Sequence, residues 1–219
     1  MMRKNLFDAQ VDVLNQQMIE MCGMIENTLE DASDVLQKLD VKRAQEIIEG
    51  DAVIDRKERE IESLCLRMLL TRQPVAHDLR VVSSALKMIT DMERIADHAA
   101  DISEIVTMIQ YEVTKQPEHF MAMSRTAVDM VHRAVDAYVR QDVELARVVI
   151  ADDDIVDNLF VEVKQEIVDY MVKDSSRSVE GMDFLMIAKY YERIGDHATN
   201  IAEWVEYCVT GLYKGDVLR

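Results

Sequence analysis

Apolar side chains recur at near-heptad spacing from the start of the chain: Phe7, Val11, Leu14, Met18, Met21, Ile25, Ala32, Val35 and Leu39 share one stripe of a long helix. Leu39-Asp40-Val41 supplies a stop and, in Asp40, an N-cap, so a second helix runs from there to Gln73, where Pro74 cannot continue it. A third helix starts near Val75 and fades at Lys115-Gln116-Pro117, with the seam Met88, Met92, Ile95, Ala99, Ile102, Val106 and Ile109. The same order then returns. A shorter helix from about Glu118 to Arg140 precedes an N-cap at Asp142 and a helix to about Lys173. After the polar loop Asp174-Ser175-Ser176-Arg177-Ser178, a last helix reaches Thr210 on the seam Phe184, Ile187, Tyr191, Ile194, Ala198, Ile201, Val205 and Cys208.

This recurrence is an internal duplication. Glu93-Arg94-Ile95-Ala96-Asp97-His98-Ala99-Ala100-Asp101-Ile102 returns 99 positions later as Glu192-Arg193-Ile194-Gly195-Asp196-His197-Ala198-Thr199-Asn200-Ile201, with seven of ten residues identical. Upstream the offset is 102, pairing Asp40 with Asp142, Ala44 with Ala146, Ile48 with Ile150, Asp51 with Asp153 and Asp55 with Asp157. The second connecting loop is therefore three residues shorter. Such a period is too long for a solenoid repeat, so each copy is expected to be a small bundle of its own. The fold expected is all-α: two tandem three-helix bundles, residues 1–116 and 117–219, joined by short up-down connections.

Composition agrees, with only six glycines, two prolines and 5% aromatics among 219 residues. A net charge of −17 and the lack of a basic face argue against nucleic acid and favour cations or basic protein surfaces as partners. Cys22, Cys65 and Cys208 are odd in number, sit on apolar helical positions and form no CxxC pattern, so they read as reduced core residues. The N-terminus carries no signal-peptide core, and no stretch approaches the ~18 apolar residues of a membrane span. A cytoplasmic protein without direct membrane insertion is expected.

Candidate chemistry lies in the acids. Residues four apart share a helix face, so Glu93, Asp97 and Asp101 form one line and Asp51 and Asp55 another. With 42 acidic residues in the chain such spacing is common and proves nothing alone. Position is more telling, because residues equidistant from a hairpin turn come level. Asp55 with Glu93, and Asp51 with Asp97, are each centred on Pro74. Asp157 with Glu192, and Asp153 with Asp196, are both centred at the start of the Asp174–Ser178 loop. Hard carboxylate oxygens gathered in this way suit magnesium, manganese, calcium or iron and do not suit a closed zinc–sulfur site. The alternative is a set of solvated charges paired with Arg94, Arg193, Arg56 and Lys164. His98 and His197, turned about 100° from the preceding aspartates, are expected at the surface or behind the ligands. Asn200 stands where the first copy has Asp101, so the second site holds less charge. Catalysis finds no support: the chain has no Glu-x-x-His pair facing a bundle core, no Gly-rich phosphate loop, no GxSxG and no Cys/His nucleophile pair.

The doubled Glu-Arg-Ile-x-Asp-His motif, with Asp78-Leu79-Arg80 before the first copy, resembles the PhoU family of bacterial phosphate-uptake regulators over nearly the whole chain. The resemblance implies a pair of three-helix bundles whose E(D)xxxD motif pairs hold metal. These fall here on Asp51, Asp55, Glu93, Asp97 and Asp101, and on Asp153, Asp157, Glu192, Asp196 and Asn200. It further implies negative regulation of the phosphate-starvation response through the ATPase of the phosphate ABC transporter and a membrane sensor histidine kinase. The cofactor expected is a divalent or ferric ion, of magnesium, manganese, iron or zinc, and the assembly a homodimer. The rival reading is a metal-free helical scaffold that bridges partners.

Overall fold

The computed structural model describes residues 6–72, 77–109, 117–214 and 216–217. Six long helices account for most of them: α1 (Leu6–Lys38), α2 (Val41–Arg72), α3 (His77–Met108), α4 (Phe120–Arg140), α5 (Val143–Lys173) and α6 (Ser178–Thr210). The first three pack on one another, as do the last three, and the two groups meet chiefly along α3 and α6. Both seams seen in the sequence are buried: Met88, Met92, Ile95, Ala99 and Ile102 in α3, and Ile194, Ala198 and Ile201 in α6, are fully enclosed. The buried residues of both groups form one continuous core. Each large aliphatic side chain so removed from water contributes roughly 1.5–3 kcal/mol.

The duplication extends to the turns. Leu39 and Gln141, 102 positions apart, both adopt the left-handed backbone conformation, with φ of 52° and 54°. The next N–H reaches back to the helix end in each case, Asp40 to Val35 O at 3.3 Å and Asp142 to Ala137 O at 2.9 Å. The same aspartates then cap the following helix: Asp40 Oδ1 accepts from Arg43 N at 3.1 Å and Asp142 Oδ1 from Leu145 N at 3.0 Å. A helix stop and a helix start are thus compressed into two residues.

Three boundaries differ from the sequence reading. Helix α3 ends at Met108, two residues past Val106, the last buried position of its seam, and Met108 itself is exposed. Lys115 and Gln116, like Gln73, Pro74 and Val75, lie outside the described residues. Helix α4 begins at Phe120, two residues after Glu118, where Glu166 of α5 accepts the His119 N–H at 3.3 Å. The Asp174–Ser178 loop is a 3-10 turn over Ser175–Arg177, fixed by Asp174 Oδ1 accepting from Ser176 N and Oγ at 3.1 and 2.6 Å.

A short hairpin, β1 (Leu212–Tyr213) with β2 (Asp216–Val217), was not foreseen. Gly211, at φ 80°, ends α6 in the left-handed region and turns the chain back, so that Tyr213 stacks on Trp204 with ring centroids 4.4 Å apart. Lys214 is thereby brought to Glu203 of α6 at 2.9 Å.

Candidate metal centre

The α2–α3 hairpin places carboxylates from both arms at one height. Oxygens of Asp51, Asp55 and Asp97 all lie within 4.8 Å of one another, and this is the only such grouping among the described residues. Asp51 Oδ1 is buried without a hydrogen-bond partner. Loss of water pushes the Asp51 carboxyl up to about 6, with Asp97, Asp55 and Asp101 adding repulsion. Glu93 is pushed up to about 7 by its burial and then by Asp97; Arg94 opposes the shift, and Glu58 and Asp55 add to it. An orphaned buried oxygen among mutually repelling carboxylates is the environment a hard cation relieves, so the donor set fits such an ion.

The expected ligands do not all stand alike. Glu93 is near enough to feel Asp55 and Asp97, but its oxygens are not within the tight triad. Asp101 turns to His98, whose Nδ1 lies 3.3 Å from its Oδ2. Glu58 was missed by the sequence reading: burial raises its carboxyl, Glu62 and Asp55 add to the shift, and Thr90 Oγ1 stands 3.5 Å away. Its place three residues beyond Asp55, about level with Thr90 across the turn, could have flagged it.

The second hairpin gathers its acids more loosely. Partial burial pushes Asp196 up to about 6, helped by Glu192, Asp153 and Asp157 and opposed by Lys189. Asp157 is raised by lost hydration and then by Asp153, Glu192 and Asp154, again against Lys189. Glu192 pairs with Lys189 through one oxygen, while its Oε2 is buried and unpartnered. Asp153 accepts from Thr199 Oγ1 at 3.1 Å. The first copy has Thr90 and Ala100 at the positions of Lys189 and Thr199. Two substitutions between the copies therefore hold the second set apart with internal partners.

Of the counter-ions expected, Arg94 is in place, its Nη1 3.1 Å from Asp97 and its Nε 3.6 Å from Glu93. Arg59 and Lys189 take the other places, Arg59 at 3.7 Å from Asp55. Arg56, Lys164 and Arg193 have no ion pair among the described residues.

His98 and His197 are not surface groups. They lie between the two halves of the molecule, where α3 crosses α6, with ring centroids 5.6 Å apart and His98 only 7% exposed. Burial lowers the His98 pKa, against the pull of Asp101 and with help from His197 and Arg193. Asp91 receives His197 Nδ1 at 2.8 Å and the Asn200 amide at 3.0 Å, while Tyr190 stacks on His98 at 5.4 Å. Asn200 is thus tied across the interface to α3. Asp91 and Tyr190 are themselves 99 positions apart, so one repeat position supplies both second partners. Arg94, Arg193 and both histidines line an open cleft of about 670 Å³ at this crossing.

The fold and the site together define a duplicated all-α bundle whose first hairpin draws three carboxylates together. The PhoU domain model matches residues 18–106 and again 120–205. The chain is 33% identical to the phosphate-specific transport system accessory protein PhoU homolog of Clostridium acetobutylicum, across 96% of this chain and 97% of that one. It is 32% identical to the phosphate-specific transport system accessory protein PhoU of Escherichia coli, across 94% and 86%. The crystal structure of PhoU from Pseudomonas aeruginosa superposes with a TM-score of 0.91 at 33% identity, covering 94% of this chain and all of that one. That of the phosphate transport system regulatory protein PhoU from Streptococcus pneumoniae gives 0.87 at 26% identity, covering 97% and 99%. The chain belongs to the PhoU family.

Proposed function

We propose that this protein is an accessory regulator of phosphate transport that carries a divalent or ferric ion at Asp51, Asp55 and Asp97, with Glu93 and Asp101 beside it. A weaker second site comprises Asp153, Asp157, Glu192 and Asp196. The observation that carries the metal reading is the convergence of three carboxylates around a buried, unpartnered Asp51 oxygen. Membership of a family whose relatives are named for phosphate transport supports the regulatory role.

In this reading the chain works in the cytoplasm as a homodimer and represses the phosphate-starvation response. It bridges the ATPase of the phosphate ABC transporter and a sensor histidine kinase. No described helix is long and apolar enough to cross a membrane, consistent with docking on membrane partners from outside the bilayer. The ion offsets repulsion that would otherwise loosen the hairpin, and so stiffens the surface that partners meet.

Elemental analysis of protein purified without chelator, beside Asp97→Ala and Asp196→Ala, tests the metal claim. The first variant should lose most of the metal and the second less. Equal content in all three would leave the metal-free scaffold as the better account. Co-purification with the ATPase and with the kinase, each with and without chelator, tests the bridging role.

A further inference from the structure

The cleft where α3 crosses α6 collects the arginines and histidines of both repeated decapeptides, with Asp153 and Asp196 of the second carboxylate set on its wall. Its cations are differently engaged. Arg94 is drawn aside by Glu93 and Asp97, at 3.6 and 3.1 Å, whereas Arg193 faces the cleft with no ion pair among the described residues. Glu203, on the cleft wall, has a buried Oε2 with no hydrogen-bond partner. The Lys214 ammonium stands at ion-pair distance from that oxygen, 2.9 Å, but outside hydrogen-bonding direction.

We propose that this cleft binds inorganic phosphate as its monohydrogen dianion, with Arg193 and Arg94 on the charged oxygens and Glu203 accepting the P–O–H hydrogen. Guanidinium groups match phosphate oxygens through paired, charge-assisted hydrogen bonds. Lys214 is exposed and can swing from Glu203 onto the anion, which uncovers the carboxylate oxygen. That carboxylate sorts anions: monohydrogen phosphate brings a donor to it, whereas sulfate at neutral pH sets acceptor against acceptor and charge against charge.

The proposal rests on the metal reading above. Without metal the cleft's charged side chains balance, Arg94, Arg193 and Lys214 against Asp153, Asp196 and Glu203, and leave no net charge to draw a dianion. An ion on Asp97 competes with Arg94 for that carboxylate and releases the guanidinium toward the cleft, while its own charge tips the balance positive. Phosphate uptake is thereby coupled to metal loading.

Calorimetric titration of the full chain with phosphate and with sulfate at pH 7.5, manganese-loaded and chelated, tests this, with manganese content measured separately. Phosphate should bind the loaded chain at least ~10-fold tighter than the chelated chain, and ~10-fold tighter than sulfate binds. Arg193→Gln should lose phosphate with manganese content unchanged, which separates the cleft from an anion sitting on the ion itself. Glu203→Gln should erase the preference over sulfate. A loaded chain that ignores phosphate, or binds sulfate equally well, overturns the cleft and leaves the metal reading standing, and equal phosphate binding in chelator overturns the coupling. A chain that takes up no manganese overturns the metal reading and the coupled phosphate site with it.

Discussion

Replacing Asp51 by Asn should stabilise the metal-free protein while abolishing its response to metal. Asp51 is half-buried beside three other carboxylates, and its carboxyl is pushed from 3.8 to about 6, first by lost hydration and then by Asp97, Asp55 and Asp101. A shift of that size corresponds to roughly 3 kcal/mol, which partial exposure reduces to about 1.5 kcal/mol. The sign follows from linkage: the folded chain holds this proton to a higher pH than the unfolded chain does. The cost of ionisation is therefore absent below about pH 4, develops between pH 4 and 6, and is complete above 6. In chelator at pH 7.5, Asp51→Asn should raise the urea midpoint by roughly 0.6 M for an m value of about 2.5 kcal/mol/M, and at pH 4 the two proteins should unfold together. Manganese at about 100 times its dissociation constant should add about 2.7 kcal/mol to the unsubstituted protein and little to the variant. A variant less stable than its parent in chelator at pH 7.5, or one that gains equally from manganese, would refute the reasoning.

Gly195 is buried against Val156, where an added Cβ would lie 3.4 Å from Cγ1, and the first repeat has Ala96 at the same place. Gly195→Ala should therefore stabilise by about 0.5–1 kcal/mol through helix propensity, read as a rise of roughly 2 °C in Tm; a fall would mean that α5 and α6 cannot yield there. Asp142→Ala removes the cap on Leu145 N and should cost about 1 kcal/mol in denaturant unfolding, with Asp40→Ala costing a similar amount. Burial pushes the Cys22 and Cys65 thiols up to about 12. A thiol reagent at pH 8 should leave both untouched in the native protein and modify all three cysteines in denaturant; rapid native labelling of Cys22 or Cys65 would contradict that burial.

The periodicity of apolar residues made six helices legible because each buries a continuous stripe, and the aspartate caps made two of the turns legible because their chemistry is local. The centring of Asp51, Asp55 and Asp97 about the hairpin was legible too, since antiparallel helices of constant rise turn sequence position into height. Height is not direction. Whether a carboxylate meets its neighbours or a closer partner depends on contacts between helices distant in sequence, and no spacing rule records that Asn200 reaches Asp91 or that Lys189 engages Glu192. Of the two places expected for the histidines, the surface and behind the ligands, His98 takes the second, bonded to Asp101, but spacing in one helix did not record that α6 covers that side of α3. The duplication then supplies what one copy alone could not. Where both repeats keep a residue, as with Asp40 and Asp142, the same local contact recurs. Where they part, as Thr90 from Lys189 and Ala100 from Thr199, the second copy gives Glu192 and Asp153 internal partners that the first does not offer at those positions. Such neutralisation is what a bundle needs for stability alone; in the first copy Arg59 reaches Asp55 and Arg94 reaches Asp97, and Asp51 alone of the three keeps a buried oxygen without a hydrogen-bond partner, which is where the proposed cation would act.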